Sequence, residues 1–236
     1  MEKEEIYPMR INKYLAHKNI VSRREADRLI EGGKIFINGR RAKLGDKVEE
    51  NDKVETAEGL GEGKIYVAFN KPVGVITHSP QGDEKEILDI VKFQEKIFPV
   101  GRLDKDSHGL IILTNDGRIT DKLLNPEFDH DKEYEVRLNK DIRSGFVRSM
   151  ENGIVLEDGY KTKKSRVKKI DENVFTITLT EGKKRQIRRM VTALGYEVVS
   201  LKRTRIMNVK LGSLTSGKYR VMKGKELEKF LESLGL

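Results

Sequence analysis

Asp104 belongs to the stretch of this chain whose surroundings most suggest chemistry. It lies in Gly101-Arg102-Leu103-Asp104-Lys105-Asp106-Ser107-His108-Gly109, a charged loop closed in by two apolar runs at residues 97–100 and 110–113. Short apolar runs of this kind read as buried strands, which would hold the loop from both ends. A carboxylate fixed beside cations can act as a nucleophile or a base, because both tasks need geometry and charge state set in advance. Arg102 and Asp106 flank it, and by residue type alone Asp106 and Asp116 are equally eligible. A turn Asp also commonly bonds its own backbone two residues on, so the loop alone does not choose among them.

Other chemistries have less support. The chain has no Cys, which removes disulfides and thiolate metal sites. His17, His78, His108 and His130 are scattered without the spacing of a ligand set, so no metal is expected. The start, Met1-Glu2-Lys3-Glu4-Glu5, is acidic where a secretory signal would be basic and then apolar. No apolar run approaches the roughly 20 residues that span a bilayer, so a cytoplasmic protein with no membrane partner is expected.

Charge points to a polyanion. The 236 residues carry a net charge of +9, and 36% of them are charged. The excess is concentrated: residues 9–43 hold ten Lys or Arg against three acids, and residues 161–205 hold fourteen against four. Two basic patches imply two contacts with nucleic acid.

The first patch sits on a small helical unit. Ile11, Tyr14 and Leu15 fall at helical spacing, and Ser22-Arg23-Arg24-Glu25 fits a capping box that opens a second helix. Ala26, Leu29 and Ile30 form its apolar stripe, and Gly32-Gly33 ends it. Asn38-Gly39 then signals a hairpin. Arg10, Lys13, Arg23, Arg24, Lys34, Arg40 and Arg41 leave the apolar stripe free and project charge outward.

A glycine-rich linker is expected around residues 56–64, without the spacing of a phosphate loop. A strand follows at residues 65–69, then Lys71-Pro72-Val73-Gly74, a short helix near residues 87–92 and another at residues 118–124, stopped before Pro126. Tyr134, Val136 and Leu138 alternate on one face of a strand, as do Phe175, Ile177 and Leu179. Residues 161–169 offer a basic edge. On a helix from Gln186 to Gly195, Ile187, Val191 and Leu194 share one face, with Arg185, Arg188 and Arg189 beside it. Residues 197–205 and a terminal helix near residues 226–234 read as structural.

Several stretches carry a family resemblance, among them Lys71-Pro72-Val73-Gly74, which resembles a structural turn near the family's active site. Gly101-Arg102-Leu103-Asp104, then Ser107, Gly109 and Leu110, resembles the central motif of the pseudouridine synthases, in the RsuA-like branch that modifies ribosomal RNA. Lys132-Glu133-Tyr134 and Gln186-Ile187-Arg188-Arg189-Met190 resemble two further motifs, and the first unit resembles the S4-like RNA-binding module. Within the branch the chain is most similar to enzymes of large-subunit RNA, with tRNA as a second candidate substrate.

The resemblance implies an α+β chain: an S4-like module at residues 8–55, a linker at 56–64, and a catalytic domain at 65–236 with a mixed, mainly antiparallel sheet flanked by helices. It also implies that Asp104 is the catalytic carboxylate, that Arg188 pairs with it, and that Tyr134 stacks on the target base. Arg102 would fill the gap left by a flipped uridine, and Arg185, where related branches carry His, would contact RNA. No cofactor is implied, and a monomer is expected. Two rivals share the basic patches: a non-catalytic ribosome assembly factor, and an RNA methyltransferase, for which no glycine-rich donor loop is found near residues 65–74.

Overall fold

A computed structural model describes residues 7–57, 63–93 and 95–236. Most of the expected glycine linker, residues 58–62, lies outside the described residues.

The first elements are β1 (Met9–Arg10), α1 (Ile11–His17), α2 (Arg23–Glu31), β2 (Ile35–Ile37), β3 (Arg40–Arg41), β4 (Lys47–Val48) and β5 (Val54–Thr56). Ser22 caps α2 by accepting from the Glu25 amide at 3.3 Å. The reciprocal half of the expected box gives way to another pairing: the Glu25 carboxylate turns to Arg28, one helical turn on, at 3.6 Å. Asn38 and Gly39 both have positive φ, 51° and 76°, which is the type I′ turn that joins β2 to β3. Ile11, Leu15, Ala26, Leu29 and Ile35 form a separate small core.

The rest of the chain builds β6 (Tyr66–Lys71), α3 (Ile87–Ile90), β7 (Phe98–Val100), β8 (His108–Thr114), α4 (Arg118–Leu124), β9 (Lys132–Leu138), α5 (Phe146–Asn152), β10 (Arg166–Asp171), β11 (Val174–Leu179), α6 (Gln186–Ala193), β12 (Val198–Ile206), β13 (Val209–Lys210), β14 (Tyr219–Val221) and α7 (Gly224–Glu232). Nine strands form one sheet in the order β10-β11-β9-β12-β8-β6-β14, with β13 beside β12 and β7 beside β8. Among the described strands, β12 and β8 pair in parallel and the other pairs are antiparallel, so the sheet is mixed and mainly antiparallel as expected.

β6 is buried along its whole length and β8 from Gly109 onward, and their apolar stretches at residues 66–69 and 110–113 are continuous because both faces are covered. Tyr66, Ala68, Leu110 and Ile112 enter one core with Ile119 and Phe230, while Val67, Phe69, Ile111 and Leu113 enter another with Ile87 and Ile97. The strands β9 and β11 bury Val136, Leu138, Phe175 and Ile177 under α5 and α6.

Register then draws one row across five strands. Lys71 on β6 faces Gly109 on β8, Gly109 faces Arg203 on β12, Arg203 faces Tyr134 on β9, and Tyr134 faces Ile177 on β11. Gly109 is required by this crossing: its φ is +104°, and a Cβ there would lie 2.4 Å from the Arg203 carbonyl oxygen. Residues 197–205, expected to be merely structural, therefore supply the central strand β12.

The two regions touch near the start of α4. Arg118 grips Asp116 through Nε and Nη2, Tyr66 donates its hydroxyl to the same carboxylate, and Arg118 Nη1 donates to the Asn19 carbonyl at 3.2 Å.

Candidate active site

The loop between β7 and β8 is pinned at its middle. Buried Thr77 accepts from the Leu103 amide at 3.0 Å and donates to the Leu103 carbonyl at 2.8 Å, which fixes the residue next to Asp104. Ser107 donates its amide to the Asp104 carbonyl at 3.0 Å, and Gly74 donates to the Lys105 carbonyl at 2.8 Å. The Lys71-Pro72-Val73-Gly74 turn is held from within by the Lys71 ammonium, which donates to the Pro72 and Val75 carbonyls. Burial pushes Lys71 down to about 8, against the opposing pull of Asp106 and Asp104.

The guanidinium groups at the N-terminus of α6 meet this loop. Arg185 reaches Asp106 with both terminal nitrogens, at 3.3 and 3.0 Å, and lies 3.8 Å from Asp104. Arg188 lies 3.2 Å from the Asp106 carboxylate and donates to the Asp106 carbonyl at 3.1 Å. The expected pairing of Arg188 with Asp104 is therefore corrected: Arg188 clamps Asp106, two residues on, and Arg185 is the cation beside Asp104. The reason is positional. Arg185 caps the helix in a left-handed conformation, φ 51°, and its side chain reaches the loop ahead of Arg188, one turn further along. Burial opposes the charge on Asp106, but Arg185 and Arg188 outweigh it and hold the carboxyl below its usual value. Asp104 keeps 41% of its side chain exposed, open to an incoming group.

A cleft of about 620 Å³ opens in front of Asp104. Arg102, Tyr134, Lys132, Arg185 and Arg203 line it, and its size falls in the usual range for small-ligand pockets, about 300–1,000 Å³. Tyr134 is half-buried and packs between the two cores on either side of it. Glu181 braces the rim by accepting from Gln186, Tyr160 and the Lys163 amide. Among the described residues no cluster of His, Asp or Glu could hold a metal ion.

Asp104, Tyr134, Arg102 and Arg185 thus share one cleft, with Arg188 one step behind Asp106. Arg10, Lys13, Arg23, Arg24, Lys34 and Arg40 are all exposed on the N-terminal unit, though Arg40 pairs with Asp46 at 2.9 Å and so offers a compensated charge. Lys163, Lys164, Arg166, Lys168 and Lys169 lead into or lie along β10, the edge strand of the sheet. Sequence reasoning missed Arg203 and Lys132, which line the cleft. Nothing local marks Arg203, since its place depends on the parallel register of β12 with β8.

Comparison with known proteins decides the family. The RNA pseudouridylate synthase family profile matches residues 65–193, and the S4 domain profile matches residues 9–54. The chain is 46% identical over 224 residues to the dual-specificity RNA pseudouridine synthase RluF of Escherichia coli K12, covering 93% of this chain and 77% of that one. This chain belongs to the RNA pseudouridine synthase family. The synthase is also 36% identical to ribosomal large subunit pseudouridine synthase B of Bacillus subtilis, covering 93% of this chain and 94% of that one. A solved crystal structure of a pseudouridylate synthase superimposes with a TM-score of 0.69 at 29% identity, covering 96% of this chain and 99% of that one. The synthase therefore isomerises uridine within RNA.

Proposed function

We propose that this synthase converts a uridine of large-subunit ribosomal RNA to pseudouridine, acting in the cytoplasm as a monomer, with tRNA as a second substrate. The observation that carries this reading is the cleft in which Asp104 and Arg102, from one loop, meet Tyr134 from β9 and Arg185 from the start of α6. The similarity to a dual-specificity synthase and to a large-subunit synthase supports the substrate class.

Asp104 is the catalytic carboxylate, and either attacks the anomeric carbon or removes a sugar proton. Arg185 keeps a positive charge beside it, while Arg188 fixes the loop through Asp106. Tyr134 stacks on the uracil, and exposed Arg102 fills the space the flipped nucleotide leaves. The exposed cations of the module at residues 8–55 bind phosphates and position the RNA. Residues 65–236 perform the chemistry, with residues 56–64 as the link.

The test is to map pseudouridine in ribosomal RNA and tRNA from cells with and without the protein. One or a few large-subunit uridines should lose the modification. An unchanged map together with altered subunit assembly would favour the non-catalytic assembly factor.

A further inference from the structure

The cleft holds more positive charge than the roles above use. Arg203 is 4% exposed, yet it has no carboxylate partner among the described residues. Its Nε donates to the Leu110 carbonyl at 2.7 Å, and its Nη2 is buried with no hydrogen-bond partner. A buried guanidinium left partly unsatisfied is costly unless an acceptor arrives with the ligand. Lys132 stands near it: burial, with Arg203 adding to the effect and Asp131 opposing, pushes its ammonium down to about 8. Both residues line the cleft and flank Tyr134, Arg203 opposite it on β12 and Lys132 two positions before it on β9.

The base that stacks on Tyr134 therefore presents its edge to these two cations. When the bond between uracil N1 and ribose C1′ breaks, the electron pair stays on the ring. The base is then a monoanion with charge shared among N1, O2 and O4. It stays so until C5 bonds to C1′, as C1′ either releases the Asp104 oxygen bound to it or, where Asp104 had removed the C2′ proton, C2′ takes that proton back; C5 then gives its proton to solvent and N1 takes one up.

We propose that Arg203, with Lys132 beside it, holds a carbonyl oxygen of the target uracil and stabilises the negative charge that the base carries while detached from its ribose. This rests on the synthase reading above and assigns the base a binding group within it. Where the oxygen held is O4, it also gives selectivity against cytosine, whose amino group would meet two donors where uracil offers an acceptor.

The test is a cycle between protein and substrate. A synthetic RNA hairpin around the uridine found by mapping carries uridine, 2-thiouridine or 4-thiouridine at the target, and sulfur accepts hydrogen bonds poorly. Single-turnover conversion is measured for the wild type, Arg203→Lys and Lys132→Gln. One of the two sulfur substitutions should slow the wild type roughly tenfold. Each variant should slow on uridine, for Arg203→Lys on the order of 100-fold, and that same sulfur should then cost it less than about threefold. The proposal is overturned if both sulfur substitutions slow the variants as much as the wild type, as expected were Arg203 only a stitch between β12 and β8 or a phosphate ligand. It is equally overturned if neither sulfur affects the wild type. Should Arg203→Lys fail to fold, Lys132→Gln on the half-buried lysine carries the same cycle. Wild-type conversion of the uridine hairpin is the control: its failure removes the synthase reading and this inference with it, whereas conversion without coupling removes this inference alone.

Discussion

Arg188 holds Asp106, its Nη2 3.2 Å from the carboxylate and 3.1 Å from the carbonyl of that residue, while Asp104 lies 3.8 Å from Arg185. Asp106 thus serves as a clamp. It absorbs two guanidinium groups and leaves Asp104 facing the cleft beside a cation without a tight, competing bond.

The clamp has a measurable consequence. Asp106→Asn should slow single-turnover pseudouridine formation by between about tenfold and a hundredfold, because a small displacement of the neighbouring carboxylate is amplified in the rate. Activity equal to the wild type would show that the clamp is dispensable.

Gly109 tests the crossing that builds the site. Gly109→Ala would place a Cβ 2.4 Å from the Arg203 carbonyl oxygen at a φ of +104°. The expected loss is more than about 3 kcal/mol, from backbone strain and steric overlap together. Gly182, where an added Cβ would meet nothing within 4 Å and φ is not positive, is the comparison: Gly182→Ala should leave chemical unfolding nearly unchanged.

Asp116 tests the joint with the N-terminal unit. Its side chain is 1% exposed; burial opposes its charge, but Arg118 and Tyr66 outweigh this and hold the carboxyl below its usual value of 3.8. A carboxyl whose folded value is depressed adds stability that is fully present above the unfolded value. That stability fades as pH falls through 3.8 towards the folded value. Asp116→Asn should therefore destabilise the protein at pH 7 by roughly 3 kcal/mol and flatten the acid limb of a stability–pH curve. A limb as steep as that of the wild type would exclude Asp116 as its source.

Lys132 tests the charge in the cleft. Its neighbours are Arg203 on β12, which lowers its value, and Asp131 before it in the chain, which raises it. With the folded value at about 8, the ammonium is charged below that pH and neutral above it. Single-turnover rates should hold up to about pH 8 and then fall. Lys132→Arg should keep its rate at higher pH, since a guanidinium stays protonated there. The same fall in that variant would assign the limb to another group.

The sequence revealed those parts of the fold that depend on local chemistry. The Asn38-Gly39 turn, the Ser22 cap, the halt of α4 before Pro126 and the alternation through Tyr134, Val136 and Leu138 are each written in a few adjacent residues. Asp104 needed the whole motif around it, because an isolated loop Asp carries no signal that separates it from Asp106. Strand register was not legible. The row Lys71, Gly109, Arg203 and Tyr134 joins residues far apart in the chain, and β12 looked structural because nothing within it announces a parallel partner. The convergence of Arg185 and Arg188 on Asp106, with Arg185 also beside Asp104, was hidden for a similar reason. Which arginine reaches which carboxylate depends on where a left-handed cap aims the start of α6.

The central claim is that the Asp104 carboxylate performs the chemistry. The most direct measurement is release of tritium from RNA labelled at C5 of uridine, by Asp104→Asn alongside the wild type, with RNA binding measured on the same preparations. The account expects binding within about twofold of the wild type, since an exposed isosteric change removes little contact, and no tritium release above background. Release by the variant at a rate near that of the wild type would contradict it.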